Sequence, residues 1–301
     1  MGRYAKWNRE CGRRGLEMIE VNVDKFTKID LCKCPHILIG GSTGSGKSYL
    51  MKHMLKDIFG SDECRVVIVD PKCVDYECML GEDRLIMKID NDWPRVLRLL
   101  GSLEKEMRER YKYLKSRNYV DWSSVMLEGI SGKEISTDRD EKLKDIQNQL
   151  RELYGDNPEV SGIFQQIINA EDNIRADSED LRYESPIWGS KRIVLVIDEL
   201  ADLIYSDRAK TNLGSRGMME YYLVKLATLG RASGIHLMLG TQRPDATILS
   251  GQLRANIPTR IGLRVVNNVE RRIILGDSCK DLGERVLFYQ GEYKSLSYDL
   301  S

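Results

Sequence analysis

Long apolar runs are missing from this chain. No stretch approaches the roughly 18 uninterrupted apolar residues that a membrane span needs, and the opening Met1-Gly2-Arg3-Tyr4-Ala5-Lys6-Trp7 has no apolar core of a secretory signal. Both absences point to a cytoplasmic protein with no direct membrane insertion, tethered to a membrane only through a partner. An excess of charge is missing too. The 46 Lys and Arg balance 46 Asp and Glu, so net charge draws no polyanion, and any nucleic-acid contact has to come from a local patch. Cysteines at metal-ligand spacing are lacking: the seven are odd in number, and Cys32-Lys33-Cys34 has no second pair at zinc spacing. They read as reduced thiols, with no disulfide framework and no zinc site. Internal repeats and low-complexity tracts are also lacking.

What is there is enough chain for one large α/β domain or two ordinary ones, 301 residues of which 42% are hydrophobic. The most informative stretch is Gly41-Ser42-Thr43-Gly44-Ser45-Gly46-Lys47-Ser48, directly behind the apolar run His36–Gly40 and ahead of a helical segment from about Lys47 to Phe59. Strand, glycine loop and helix in that order wrap backbone N–H groups around nucleotide phosphates. The glycines let the backbone approach the oxygens without a Cβ in the way. Lys47 is expected to reach the β- and γ-phosphates, and the Ser48 hydroxyl to be a ligand of the accompanying Mg²⁺. The chain is therefore expected to bind ATP or GTP.

Around this loop the pattern is α/β. Strands are expected at Ile37–Ile39, Arg65–Val69, Leu85–Ile89, Arg192–Ile197, His236–Gly240 and Thr259–Val265, and helices at about 93–117 and 217–231. Short strands alternating with helices imply a mainly parallel sheet with helices on both faces. The helix at 93–117 reads as a surface helix, with Leu97, Leu100, Leu103 and Met107 on one face and Glu104, Glu106, Arg108, Glu109 and Arg110 around the others. Residues 1–34 carry Arg3, Lys6, Arg9, Arg13 and Arg14 with few apolar anchors and read as a basic amino-terminal arm. Residues 123–190, rich in Asp, Glu, Lys and Asn, read as an insertion, partly helical near 140–154 and 162–170. Two late segments, Arg285–Gln290 and Leu296–Leu300, read as strands of one hairpin around Gly291-Glu292-Tyr293.

The run Ile193–Ile197 delivers Asp198 and Glu199 at its carboxyl end, where open α/β sheets bind ligands. Asp198 is expected to hold Mg²⁺ through water, and Glu199 to orient and deprotonate an attacking water. The competing reading is an acidic cap on the following helix. Strand His236–Gly240 ends in Thr241-Gln242-Arg243-Pro244, which sets the Gln242 amide at the same sheet edge, where it can sense a γ-phosphate. Arg231, Arg243, Arg254, Arg260, Arg264, Arg271 and Arg272 cluster around that strand and after it. Arg231 and Arg260 are the candidates for a guanidinium supplied to the γ-phosphate of a neighbouring subunit.

The order of these segments is recognisable. Pro35–Ser48, Val69-Asp70-Pro71-Lys72, Glu106–Tyr111, Val196–Asp202, Arg231–His236, Gly240–Pro244 and Ala255–Ile261 together resemble the FtsK/SpoIIIE family of DNA translocases. The resemblance runs from Pro35 to the end, with 123–190 matching poorly, so 35–301 reads as the motor domain. It implies a RecA-like P-loop core, a hexameric ring, ATP between subunits and double-stranded DNA driven through a central channel. Under it Lys47, Ser48, Asp198 and Glu199 take the nucleotide and hydrolytic roles and Gln242 the sensor role, while Arg231 and Arg260 match arginines of the family pattern. Against that resemblance, the chain is expected to work without a membrane-spanning amino-terminal region, a long linker or a winged-helix domain. The compact form resembles motors of conjugative plasmids, integrative elements or phages, which feed DNA to a membrane channel or a relaxase-type processing partner. Two other readings stand beside it: a type VII protein-secretion ATPase, and a nucleotide-gated docking protein with little turnover.

Overall fold

In the computed structural model, which describes residues 19–127, 191–204, 213–265, 267–276, 284–289 and 291–297, strands β1 (Glu20–Asp24) and β2 (Thr27–Asp30) pair as an antiparallel hairpin. This corrects the expected arm over 1–34 in its second half. Ile19, Val21, Val23, Ile29 and Leu31 are buried in the main core cluster, because alternate residues of a strand share one face. Asn22 fixes the hairpin to the first helix through Asp57 Oδ2, at 2.7 Å from its backbone N and 3.1 Å from Nδ2. Residues 1–18 lie outside the described residues.

The remaining strands build one eight-stranded sheet. Strand β3 (His36–Gly40) leads through the glycine loop into α1 (Lys47–Gly60), then β4 (Cys64–Val69), β5 (Leu85–Ile89), α2 (Trp93–Arg117) and α3 (Trp122–Leu127). After residue 190 come β6 (Arg192–Ile197), α4 (Leu200–Ile204), α5 (Leu213–Leu229), β7 (Ile235–Thr241), α6 (Gly251–Ala255), β8 (Thr259–Gly262), α7 (Asn268–Leu275), β9 (Val286–Tyr289) and β10 (Glu292–Ser295). The strand order is β10-β9-β8-β3-β7-β6-β4-β5, parallel from β8 to β5 and antiparallel at β9 and β10. Ile37, Ile39, Val66, Ile68, Val194 and Val196 join the cluster formed with α1 and the hairpin. Their neighbours Leu38, Val67, Val69, Ile193, Leu195 and Ile197 are buried as well. Both faces are therefore covered, as a parallel sheet requires.

Helix α2 shows how local signals set an element. The Asp92 side chain accepts from the Arg95 N–H, Pro94 sits in the first turn, and Asn118 closes the helix in the left-handed region at φ 57°. Its buried stripe runs through Val96, Leu99, Leu100, Leu103 and Met107. The expectation that Glu106 and Arg110 face outward is overturned. Arg110 Nε donates to Glu106 Oε1 at 2.7 Å with both side chains buried, and its other nitrogens reach the carbonyls of Ser233 (2.8 Å) and Lys191 (3.0 Å). The guanidinium lies 4.3 Å from the Trp122 ring centroid. Trp122 in turn donates its backbone N–H to the Ala232 carbonyl. Arg110 thus ties α2, α3 and the turn before β7 together.

The core extends through Leu127, and by contacts the chain divides into Met1–Leu127 with Lys191–Ser301, and Glu128–Ser190. The insertion expected at 123–190, with its two helical stretches, lies outside the described residues apart from 123–127, which belong to α3. The late hairpin is shifted from its expected register. Strand β10 is Glu292–Ser295, paired from Tyr289↔Glu292, and Gly291 at φ 87° makes the turn. Residues 298–301 lie outside the described residues.

Candidate active site

Loop Gly41–Ser48 leaves the carboxyl end of β3, flanked by β7 and β8. Gly41 N–H donates to the Thr241 carbonyl and Ser42 N–H to the Arg264 carbonyl, so the end of β7 and the segment just after β8 pin its start. Gly44 (φ 78°) and Gly46 (φ 88°) take left-handed backbone that a side chain would strain. The N–H groups of Gly44, Gly46, Lys47 and Ser48 have no main-chain acceptor among the described residues, and the Ser45 hydroxyl is buried without a partner there. Helix α1 carries no acid in its first turn, leaving its positive end open to an anion. These donors fit a phosphate chain.

Lys47 and Asp198 meet beneath this loop. Lys47 Nζ lies 2.9 Å from Asp198 Oδ1, with side chains 2% and 0% exposed, and it also donates to the Asp198 carbonyl. Gly240 on the intervening strand β7 makes room for the pair. A Cβ there would collide with the Asp198 carbonyl and stand 2.8 Å from Met51 Sδ and 3.0 Å from Lys47 Nζ. Ser48 Oγ donates to Asp198 Oδ1 at 3.2 Å. The serine and carboxylate expected at a Mg²⁺ are therefore side by side, and an oxygen-only donor set of this kind suits a hard cation.

Glu199 is 2% exposed. Its carboxylate accepts from the Gln242 N–H at 2.8 and 3.0 Å and from the Ala201 N–H at 3.3 Å, so it also bonds the start of α4. Burial pushes its pKa above the ordinary carboxylate value, against the opposing charge of Lys47 and these hydrogen bonds. The Gln242 side chain accepts from Thr43 Oγ1 at 2.9 Å. Gln242 thus links the loop after β3 to the acid after β6.

The two arginine candidates sit elsewhere. Arg231 is exposed at the amino end of β7, near His36, the first residue of β3, whose pKa is depressed by burial first and by the Arg231 charge second. At ~3.3 Å per residue, the length of β3 puts it about 13 Å from the loop. Arg260 opposes Leu38 across the sheet, and its nitrogens donate to the carbonyls of Ile257 (3.1 Å) and Arg254 (2.6 Å).

The turn after β4 contributes residues that sequence reasoning missed. Tyr76 donates its hydroxyl to Asp198 Oδ1 at 3.0 Å, and burial together with the Asp198 charge pushes its pKa up, so it stays a donor. Asp75 Oδ2 lies 3.4 Å from Ser48 Oγ. The one available signal was position: both follow the carboxyl end of a buried parallel strand.

No helix of the described residues is long and apolar enough to cross a membrane. The chain is similar to curated proteins named DNA translocase FtsK. That of Rickettsia prowazekii is 26% identical over 276 residues, covering 89% of this chain and 32% of the relative. That of Bradyrhizobium diazoefficiens is 29% identical over 270 residues, covering 88% and 28%, and that of Borreliella burgdorferi is 30% identical over 252 residues, covering 83% and 24%. The chain thus spans a quarter to a third of the length of these relatives. Among solved structures it is similar to the pCW3 conjugation coupling protein TcpA, in monomer form with ATPγS (25% identity, TM-score 0.62, covering 92% of this chain and 64% of that one). The cytoplasmic domain of the Thermomonospora curvata type VII secretion ATPase EccC shares the fold (22% identity, TM-score 0.57, covering 92% and 28%). The FtsK/SpoIIIE family model matches residues 2–246, and with the loop, the acidic pair and the amide on the adjacent strand ends, this chain belongs to the FtsK/SpoIIIE family.

Proposed function

We propose that the protein is an ATP-driven DNA translocase that hydrolyses ATP at the subunit interfaces of a ring, most simply a hexamer. Its place is the coupling or transfer ATPase of a conjugative or integrative element or a phage, in the cytoplasm, recruited by a membrane-channel or relaxase-type partner. One observation carries the hydrolytic part: Lys47, Ser48, Asp198, Glu199 and Gln242 converge at the carboxyl ends of three adjacent parallel strands. Family membership and the similarity to a conjugation coupling protein support the DNA part.

The loop N–H groups bind the phosphates, and Lys47 turns from Asp198 toward the γ-phosphate. That exchange releases the Asp198 carboxylate to hold, with Ser48, the Mg²⁺ site. When bound, the cation neutralises charge on the β- and γ-phosphate oxygens. Glu199 accepts a proton from water as the water oxygen bonds to the γ-phosphorus and the bond to the β–γ bridging oxygen breaks, leaving ADP and phosphate. Gln242 couples this event to the loop through Thr43 and to Glu199 through its own N–H. Arg231, at the opposite end of the sheet from its own loop, suits a neighbour's site, as a head-to-tail ring allows. Arg260 is engaged by the carbonyls at the end of α6, which favours Arg231 for that role.

The test is ATP hydrolysis, with particle mass by light scattering, measured with double-stranded DNA, single-stranded DNA and none. Stimulation by double-stranded DNA in a ring-sized particle is expected. A monomer whose rate ignores both polymers would overturn the reading, and stimulation by a polypeptide alone would favour the protein-secretion type.

A further inference from the structure

The turn from Asp70 to Tyr76 brings a third carboxylate to Ser48 and Asp198. One carboxylate oxygen each of Asp70, Asp75 and Asp198 lies within 4.8 Å of the others. Asp70 Oδ2 accepts from the Asp75 N–H at 3.0 Å and faces Lys88 Nζ at 3.7 Å. The other oxygen, Asp70 Oδ1, is fully buried with no hydrogen-bond donor among the described residues. A buried carboxylate oxygen without a donor is costly, and the water shell of a divalent cation would supply one. Asp75 reaches Ser48 Oγ at 3.4 Å, on the hydroxyl that Asp198 also accepts from.

Charge gives a second, independent argument. Asp198 faces Lys47 at 2.9 Å and Asp75 faces Lys52 at 3.4 Å, while Asp70 shares Lys88 with Glu77 and Asp90, both closer to its Nζ. Once Lys47 turns to the phosphates, the cluster holds more negative charge than its lysines balance. A divalent cation held by Ser48, Asp75 and Asp198 would offset that excess.

We propose that Asp75 is a further ligand-shell residue of the cation site, accepting from cation-bound water beside Ser48 and Asp198, with Asp70 positioning the turn that carries it. This rests on the reading of Gly41–Ser48 as a Mg²⁺-nucleotide loop. Asp75 sets how much Mg²⁺ the protein needs to bind nucleotide, and Lys52, competing for the same carboxylate, sets it in the opposite direction.

The experiment is calorimetric titration of the full chain with ATPγS over a series of Mg²⁺ concentrations, and again in EDTA. Asp75→Asn should raise the Mg²⁺ concentration for half-maximal affinity by about tenfold, the usual effect of removing an outer-shell ligand. Lys52→Gln should lower it. Affinity in EDTA should be the same for all three proteins. The Lys52→Gln shift is a gain that misfolding cannot imitate, so it decides the matter even if Asp75→Asn proves unstable. Wild-type binding that depends on Mg²⁺ while Asp75→Asn keeps the same dependence, or a Lys52→Gln shift upward or absent, overturns this inference alone. A wild-type chain that binds ATPγS at no Mg²⁺ concentration overturns it together with the reading of the loop.

Discussion

Lys47 and Asp198 form a buried ion pair, 2.9 Å between Nζ and Oδ1, that joins the glycine loop after β3 to the acidic end of β6 across β7. Each residue neutralises the charge of the other. A buried pair of this kind contributes little net stability beyond what its desolvation costs. Its value is that both charges are held ready at one place.

Gly240 is the position that tests this arrangement without removing either charge. A methyl group there would sit against Met51 Sδ and Lys47 Nζ. Gly240→Ala is expected to weaken ATPγS binding at least about tenfold and to cost about 1–3 kcal/mol of stability, the usual range for overpacking. Nucleotide titration and urea unfolding measure the two effects.

Glu199→Gln should bind nucleotide as the wild type does and lose about 10²–10⁴-fold in hydrolysis, the range general-base catalysis supplies. The base works only when ionised, and burial holds the Glu199 pKa above the ordinary value. Wild-type kcat should therefore fall as pH drops, starting at a higher pH than for an exposed glutamate. That acid limb should be missing from the residual rate of the variant.

His36 and His236 are buried and stay neutral. Burial first, and the Arg231 charge second, lower the His36 pKa to about 3, and burial lowers that of His236 well below its usual value. The unfolded chain binds protons near pH 6.5 that the folded chain does not. Stability from each histidine is thus complete above pH 6.5 and falls by about 1.4 kcal/mol per pH unit below it, down to the folded pKa. His36→Asn keeps an acceptor for the Leu237 N–H, which His36 Nδ1 accepts at 3.1 Å. Its unfolding free energy should change less than the wild type's between pH 7 and 5.5.

Arg231 is expected to act on a neighbour's nucleotide. Arg231→Ala and Glu199→Gln should each be inactive alone. Mixed in equal amounts, they should regain activity at about a quarter of the interfaces of a head-to-tail ring, where an intact Glu199 meets an intact Arg231. A mixture no more active than its components would place Arg231 outside the active site.

Much of the sheet, and the meeting of the loop, the acidic pair and Gln242 at its carboxyl edge, was legible in the sequence, because each follows a buried apolar run that marks its own carboxyl end. Three things were not. Ile19–Leu31 alternates for too short a distance behind a basic stretch to be told from a tail, and it folds because α1 offers it a face through Asp57. Arg110 carries the charge that helical periodicity sends outward, yet Glu106, two carbonyls and the Trp122 ring satisfy it inside. Asp75 and Tyr76 lie in an ordinary polar turn, and only the parallel pairing of β4 with β6 brings them to Asp198. Each miss depends on a partner distant in the chain.

The decisive measurement is displacement of a labelled third strand from a duplex by the wild-type protein with ATP and Mg²⁺. A motor tracking along double-stranded DNA should strip the third strand with ATP and leave it in place with ATPγS or with Glu199→Gln. Steady ATP hydrolysis with the third strand still bound would contradict DNA translocation.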